Sequence, residues 1–146
     1  MTLTKLEVAV QQLDQAMRLF FEGDLVSSLT LAGAAEEILG KLSKRAGQPV
    51  AAEQVAAFHM GDTDPALAED KRKKVLFGVM NRPRNEAKHA KEEAETHFVV
   101  EETFPLQMIM RAMPMARRLG SPPSREAQMV RWIKEHPEAT RKAGTT

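Results

Sequence analysis

The sequence predicts an all-α protein, an up-and-down antiparallel helical bundle. Apolar residues recur at three- and four-residue spacing over most of the chain, which is one face of a helix repeated. Capping and stop signals punctuate that pattern. No pair of alternating segments reads as strands. At 146 residues, 42% hydrophobic and 28% charged, the chain has the make-up of one globular domain with its own core.

Leu3, Leu6, Val10, Leu13, Met17, Phe20 and Phe21 form the first face. Thr4 with Glu7 reads as a capping box and Gly23 as the stop. Asp24 caps a second helix that ends by Gly47. Its stripe of Leu25, Leu29, Leu31, Ala32, Ala35, Ile38, Leu39 and Leu42 is broad, and Ala32, Gly33, Ala34 and Ala35 let another helix approach closely. The tight "EGD" joint makes these two helices an antiparallel pair. A short helix follows in "QPVAAEQVAAFHMGDTD". Asp64 then reads as the cap of "PALAEDKRKKVLFGVM", with Pro65 at its first position, and another helix starts near Pro83. "THFVVEE" interrupts the pattern, and "FPLQMIMRAMPMARRLG" resumes it with a kink at Pro114.

Residues 1–120 are therefore expected to form the bundle. Residues 121–146 are expected to be a linker ("SPPS"), a short amphipathic helix capped by Ser124 and holding Met129, Val130, Trp132 and Ile133, and a flexible tail, "ATRKAGTT".

Composition excludes several classes. A net charge of +1 does not announce nucleic acid, and the absence of cysteine removes disulfides and thiol chemistry. Four scattered histidines argue against a structural zinc site, so neither metal nor cofactor is expected. There is no signal-peptide pattern and no apolar run of the roughly 20 residues that span a bilayer, so a cytoplasmic protein without membrane contact is expected.

Charge is unevenly placed. Lys71, Arg72, Lys73, Lys74, Arg82, Arg84, Lys88 and Lys91 stand against Glu86 alone in residues 71–91, eight less one, or +7. Residues 92–102 then hold Glu92, Glu93, Glu95, Glu101 and Glu102 with no Lys or Arg. The basic run reads either as a solvated face or as a phosphate-binding surface, for which Lys73, Lys74, Arg82, Lys88 and Lys91 are the candidate contacts.

Within it, "NRPRNEAKHA" gathers Arg82, Arg84, Lys88, His89 and two asparagines about one proline. Pro83 suits a first helical position, which would put Arg84 and Asn85 in a first turn, where unpaired amides favour a phosphate. Asn85 and His89, four apart, share a face. Arg84 and His89, five apart, lie about 140° round an ideal helix and do not. Histidine can move a proton from a 2′-hydroxyl or onto a leaving oxygen, and arginine can grip phosphorane oxygens. The combination suits metal-independent cleavage of RNA.

"RNEAKH" resembles the signature of the HEPN family, helical nucleotide-binding domains that include many metal-independent ribonucleases. That signature is an arginine, a polar residue and a histidine, with four to six residues between arginine and histidine. Arg84, Asn85 and His89 match it with four between, as the catalytic residues the resemblance implies. "SSLTLAGAAEEILGKL" resembles the alanine-rich helix that precedes the motif in many bacterial members, and the likeness runs from about Thr4 to Gly120. Arg82 to His89 also fits, with six between, but proline follows Arg82 and cannot play the polar role. Arg131 to His136 fits too, with Trp132 in an apolar stripe as its neighbour. The resemblance implies a homodimer with one cleft between two motifs, and RNA or a nucleotide as ligand. In the binding or regulatory members it implies a nucleotidyltransferase or antitoxin protein as partner. A non-catalytic binding module and a plain helical interaction protein are the alternatives to a ribonuclease.

The other candidates have ordinary structural explanations. His59 and His97 read as packed or surface histidines. Glu36 and Glu37, on the helix facing the motif, read as exposed or as ion-pair partners, one of which can reach Arg84. Met108, Met110, Met113 and Met115 read as core or interface filler. Ser27, Ser28 and Thr30 lack the partners an activated nucleophile needs. A homodimer is also expected because the methionine-rich and small-residue helices offer more apolar surface than one short bundle needs.

Overall fold

The computed structural model describes residues 1–145, and the side chains of residues 1–144. Among them are seven α-helices, one 3₁₀ turn at Met60–Asp62 and no strand. The helices are α1 (Lys5–Glu22), α2 (Leu25–Arg45), α3 (Ala51–Phe58), α4 (Glu69–Lys88), α5 (Thr103–Arg118), α6 (Glu126–Glu135) and α7 (Pro137–Thr145).

Local signals set the first hairpin. The Thr4 hydroxyl accepts from the Glu7 amide while the Glu7 carboxylate accepts from the Thr4 amide, closing the capping box. Gly23 ends α1 at φ +84°, a conformation that a side chain disfavours. Asp24 starts α2 at once by accepting from the Ser27 amide. These hydrogen bonds hold the carboxyls of Glu7 and Asp24 below their ordinary acidity range.

The core lies where α1, α2 and α5 meet. Leu13, Met17, Leu29, Leu39, Leu106, Met108, Ile109 and Met115 are fully enclosed there. Alanines (Ala9, Ala16, Ala32, Ala35, Ala112, Ala116) bring the helices close. At the α1–α2 contact the Ser28 hydroxyl donates to the Ala16 carbonyl at 2.7 Å, which satisfies a buried polar group. Ala32, Gly33, Ala35, Met108 and Met115 are thus buried inside the chain, while Met110 and Met113 stay half-exposed. Large apolar side chains are exposed elsewhere, at Phe58, Val75, Val79 and Val99.

Three expected boundaries are corrected. Asp64 caps no helix: its carboxylate accepts from the Ala66 amide in a local turn, and α4 begins at Glu69 behind Ala68. Pro83 starts no helix: it lies inside α4, which runs on to Lys88. Proline removes one backbone bond, but Arg84 and Ala87 beyond it pack back onto the bundle and carry the helix past the break. Ser124 does not cap α6, whose N-cap is Arg125. Its hydroxyl instead donates to Asp14 on α1 at 2.8 Å, as does the Arg125 amide, while the Arg125 guanidinium pairs with the same carboxylate. Pro114, in contrast, sits inside α5 as read from the sequence.

The tail expected to be flexible forms α7 over residues 137–145, with Ala143 buried; Thr146 lies outside the described residues. Met129 of α6 is fully enclosed, and Trp132 meets the Phe20 ring edge-on with centroids 4.8 Å apart. The segment beyond residue 120 is therefore part of the core. Met129→Ala should cost about 2–5 kcal/mol of unfolding free energy, the usual cost of truncating a buried methionine. Urea denaturation of the whole chain measures it, and a change of a few tenths would mean that α6 is an appendage.

Candidate functional site

Arg84 does not face solvent at a helix start. It lies on the inner side of α4, and its side chain retains 11% of its accessible surface. The guanidinium sits 3.4 Å from Glu36 and 3.9 Å from Glu37, both on α2. Glu36 is itself buried, and its other oxygen lies 3.7 Å from Arg111 of α5. One buried carboxylate thus ties α2, α4 and α5 together through two arginines. Asn81 joins the group by accepting from Arg111 at 3.4 Å. Desolvation is the main effect on Arg111 and lowers its pKa, Glu36 opposes that, and the neighbouring charge on Arg84 adds to it.

The Arg84 stem crosses α2 at Gly33. A Cβ there would stand 2.4 Å from Arg84 Cδ and 2.6 Å from Cγ, closer than carbon atoms pack. Gly33 is needed for clearance between a helix backbone and an arginine stem. The small-residue stretch in α2 therefore admits a side chain of α4 as well as neighbouring helices.

His89 lies at the other end of the motif and in different surroundings. It is the exposed C-cap of α4, in extended conformation at φ −129°, and has left the helix on which Asn85 sits. It lines a surface cavity of about 520 Å³ with Arg82, Glu86, Glu95, Thr96, His97 and Phe98. Arg84 and Asn85 do not line it. The structure therefore separates the two ends of the "RNEAKH" match within one chain and brings His89 together with Arg82 and His97.

Arg82 is exposed and pairs with Glu86 one turn on at 2.7 Å, which raises its pKa further above its ordinary value. His97 was expected to be an ordinary surface histidine. It sits on the loop after α4 and shares a 2.7 Å hydrogen bond with the Thr96 hydroxyl. It is exposed as expected, and what the sequence did not show is that it lies beside His89. Arg111 was missed too, although a single charge inside the apolar run "LQMIMRAMPM" calls for a buried partner.

The basic side chains do not crowd one junction. Lys73 and Lys74 lie near the start of α4, Lys88 at its end and Lys91 beyond it, so they line a helix roughly 30 Å long. Lys71, Lys74, Arg82 and Asn85 fall within an arc of about 80° on its exposed side. Lys73 pairs with Glu69 at 3.7 Å. Arg72 is turned away, donating to the Thr63 hydroxyl and the Met60 carbonyl. His59 pairs with Asp62 at 2.9 Å and His136 stacks on Trp132, so both have structural contacts. Among the described residues no group of three or more His, Cys, Asp or Glu side chains is placed to hold a metal ion. Among the described residues no helix is long and apolar enough to cross a membrane.

Comparison with known proteins finds no family model, no curated protein and no solved structure that matches this chain.

The buried cluster gives a direct test of the role of Arg84. Glu36→Gln leaves two buried guanidiniums without their shared carboxylate and should cost about 3–5 kcal/mol. Arg84→Met should cost clearly less, because Glu36 and Arg111 remain as a matched pair. Chemical denaturation of both variants decides it, and an equal or greater loss for Arg84→Met would refute this ordering. Neither variant is expected to keep the wild-type melting profile, contrary to what an exposed Arg84 would imply.

Proposed function

We propose that this chain is a HEPN-like, metal-independent endoribonuclease whose reacting groups are Arg82, His89 and His97. The observation that carries this reading is one cavity at the end of α4 lined by two imidazoles and a guanidinium. Arg82 and His89 have six residues between them, inside the range of the family signature, but Pro83 departs from its polar position. The exposed face of α4 offers an RNA backbone the cations Lys71 and Lys74 and the amide of Asn85, with Lys88 next to His89 in sequence.

The chemistry follows from these groups. One imidazole takes the proton of a ribose 2′-hydroxyl as that oxygen attacks the adjacent phosphorus. The other imidazole protonates the departing 5′-oxygen, so one proton is taken up and one released. Arg82 holds the phosphate oxygens as charge builds on them. Its exposed pair with Glu86 is of a kind worth little, so a phosphate can displace it at small cost. The products are a 2′,3′-cyclic phosphate and a 5′-hydroxyl, and no step calls on a metal ion.

A second reading is a non-catalytic RNA- or nucleotide-binding module. It is favoured by Arg84, the arginine that the closest match to the signature assigns to catalysis, being engaged with Glu36 and Glu37. A homodimer remains part of both readings, with the exposed Val75 and Val79 on α4 in place of the methionine-rich helix as its apolar contact.

Cleavage of a fluorescent RNA oligonucleotide separates the two. His89→Ala and His97→Ala should each lower turnover roughly 10²–10⁴-fold with little change in affinity. Arg82→Ala should weaken both. Lys74→Ala should weaken binding alone and flatten its salt dependence by about one unit of slope. Cleavage should survive EDTA and leave cyclic or 3′-phosphate ends. Wild-type turnover in both histidine variants would end the ribonuclease reading, and RNA binding without any cleavage would establish the second.

A further inference from the structure

Among the buried charges one sign is in excess. Arg84 and Arg111 share the carboxylate of Glu36, and the second acid near Arg84, Glu37, is half exposed and stands 3.9 Å away. Arg111 retains 8% of its surface, and its Nε faces Glu36 at 3.7 Å, too far for a hydrogen bond. A buried guanidinium so loosely paired is costly, and a further acceptor beside it would offset that cost.

Arg111 borders a cavity that could hold such an acceptor. It has a volume of about 250 Å³ and lies among α3, α4, α5 and α7. Val55, Met80, Met110 and Ala143 form apolar walls, while Arg111 and Arg118 supply positive charge. Arg118 is exposed and donates to the Pro49 carbonyl at 3.3 Å, a neutral acceptor that leaves its charge uncompensated. The cavity does not include Arg82, His89 or His97, so it is separate from the site proposed for RNA.

We infer that this cavity binds a small apolar carboxylate, an aliphatic or aromatic acid, with its body among Val55, Met80 and Met110 and its carboxylate toward Arg111 and Arg118. A monoanion offsets the one excess buried charge, while Arg118 is exposed and solvated and adds a second donor. A planar carboxylate also suits guanidinium donors, whereas a dianionic phosphate would bring more charge and hydration than apolar walls accept. A few converging polar groups in a mainly apolar pocket is the ordinary make-up of a small-molecule site. Binding would lower the desolvation penalty now borne by Arg111, so the ligand should stabilise the α2–α4–α5 arrangement by mass action.

The experiment is calorimetric titration of the whole chain with sodium octanoate, with octan-1-ol as the neutral probe of equal body. One saturable octanoate site is expected, with octan-1-ol at least about tenfold weaker. Arg118→Gln should weaken octanoate about tenfold and leave octan-1-ol unchanged. Val55→Trp, which fills the cavity, should abolish binding of both while the helical circular dichroism is retained. Arg111 itself is not the test, since its loss would unsettle the core. Absence of saturable octanoate binding at millimolar concentration would overturn the inference. So would equal affinity for the alcohol, or octanoate binding unaffected by Val55→Trp or by Arg118→Gln.

Discussion

The placement of α4 depends on one carboxylate. Glu36 is the buried group through which α2 holds both Arg84 of α4 and Arg111 of α5. α4 has few apolar anchors: Met80 is its one buried side chain, and Val75 and Val79 face outward. On a helix so polar, the charge pairing on its inner side sets where α4 sits on the bundle. Buried ion pairs gain little net stability against desolvation, but losing one member is expensive, so they specify arrangement more than they strengthen it. The clearance at Gly33 lets the Arg84 stem reach its partner, and the engagement beyond Pro83 keeps the last turn of α4 folded up to His89.

This division of labour separates two arginines that the sequence sets two residues apart. Arg84 points inward and organises the fold, while Arg82 points outward beside His89. Two residues on a helix are about 200° of rotation, so adjacent motif positions were bound to face nearly opposite ways once the helix continued. The alternation of roles is therefore a property of α4 being unbroken. The functional reading shifts with it from the tighter spacing to the wider one, and from Asn85 to His97 as the third group.

Much of the fold was legible because its signals are local. The capping box of Thr4 and Glu7, the left-handed stop at Gly23 and the Asp24 cap each involve residues within a few positions of one another. At Pro83 and Ser124 the structure departs from the local signal because a distant contact decides. Pro83 carries every local mark of a helix start, yet Arg84 is held by Glu36, 48 residues earlier. Asp64 and Pro65 form a local turn signal that was read as the cap of a helix. Of the candidate site, His89 and the lysines were visible as residue types. Their grouping with His97 was not, because a loop without periodicity gives no register from which to place a side chain.

The clamp at Asp14 has a consequence for how the chain acquires its structure during synthesis. Ser124 and Arg125 lie more than a hundred positions after the aspartate they bind, and Trp132 closes over Phe20 from a similar remove. α1 packs mainly on α2 and α5, but its Phe20 end is closed by α6, which lies far later in the sequence. Until α6 emerges, α1 and α2 can pair, but the end of α1 near Phe20 stays open to water and to other chains. Dependence of an early element on a late one raises the entropy that must be lost before the final contacts form. Before α6 docks, the Phe20 end of α1 is an uncovered apolar surface, so docking of α6 is a late step in folding.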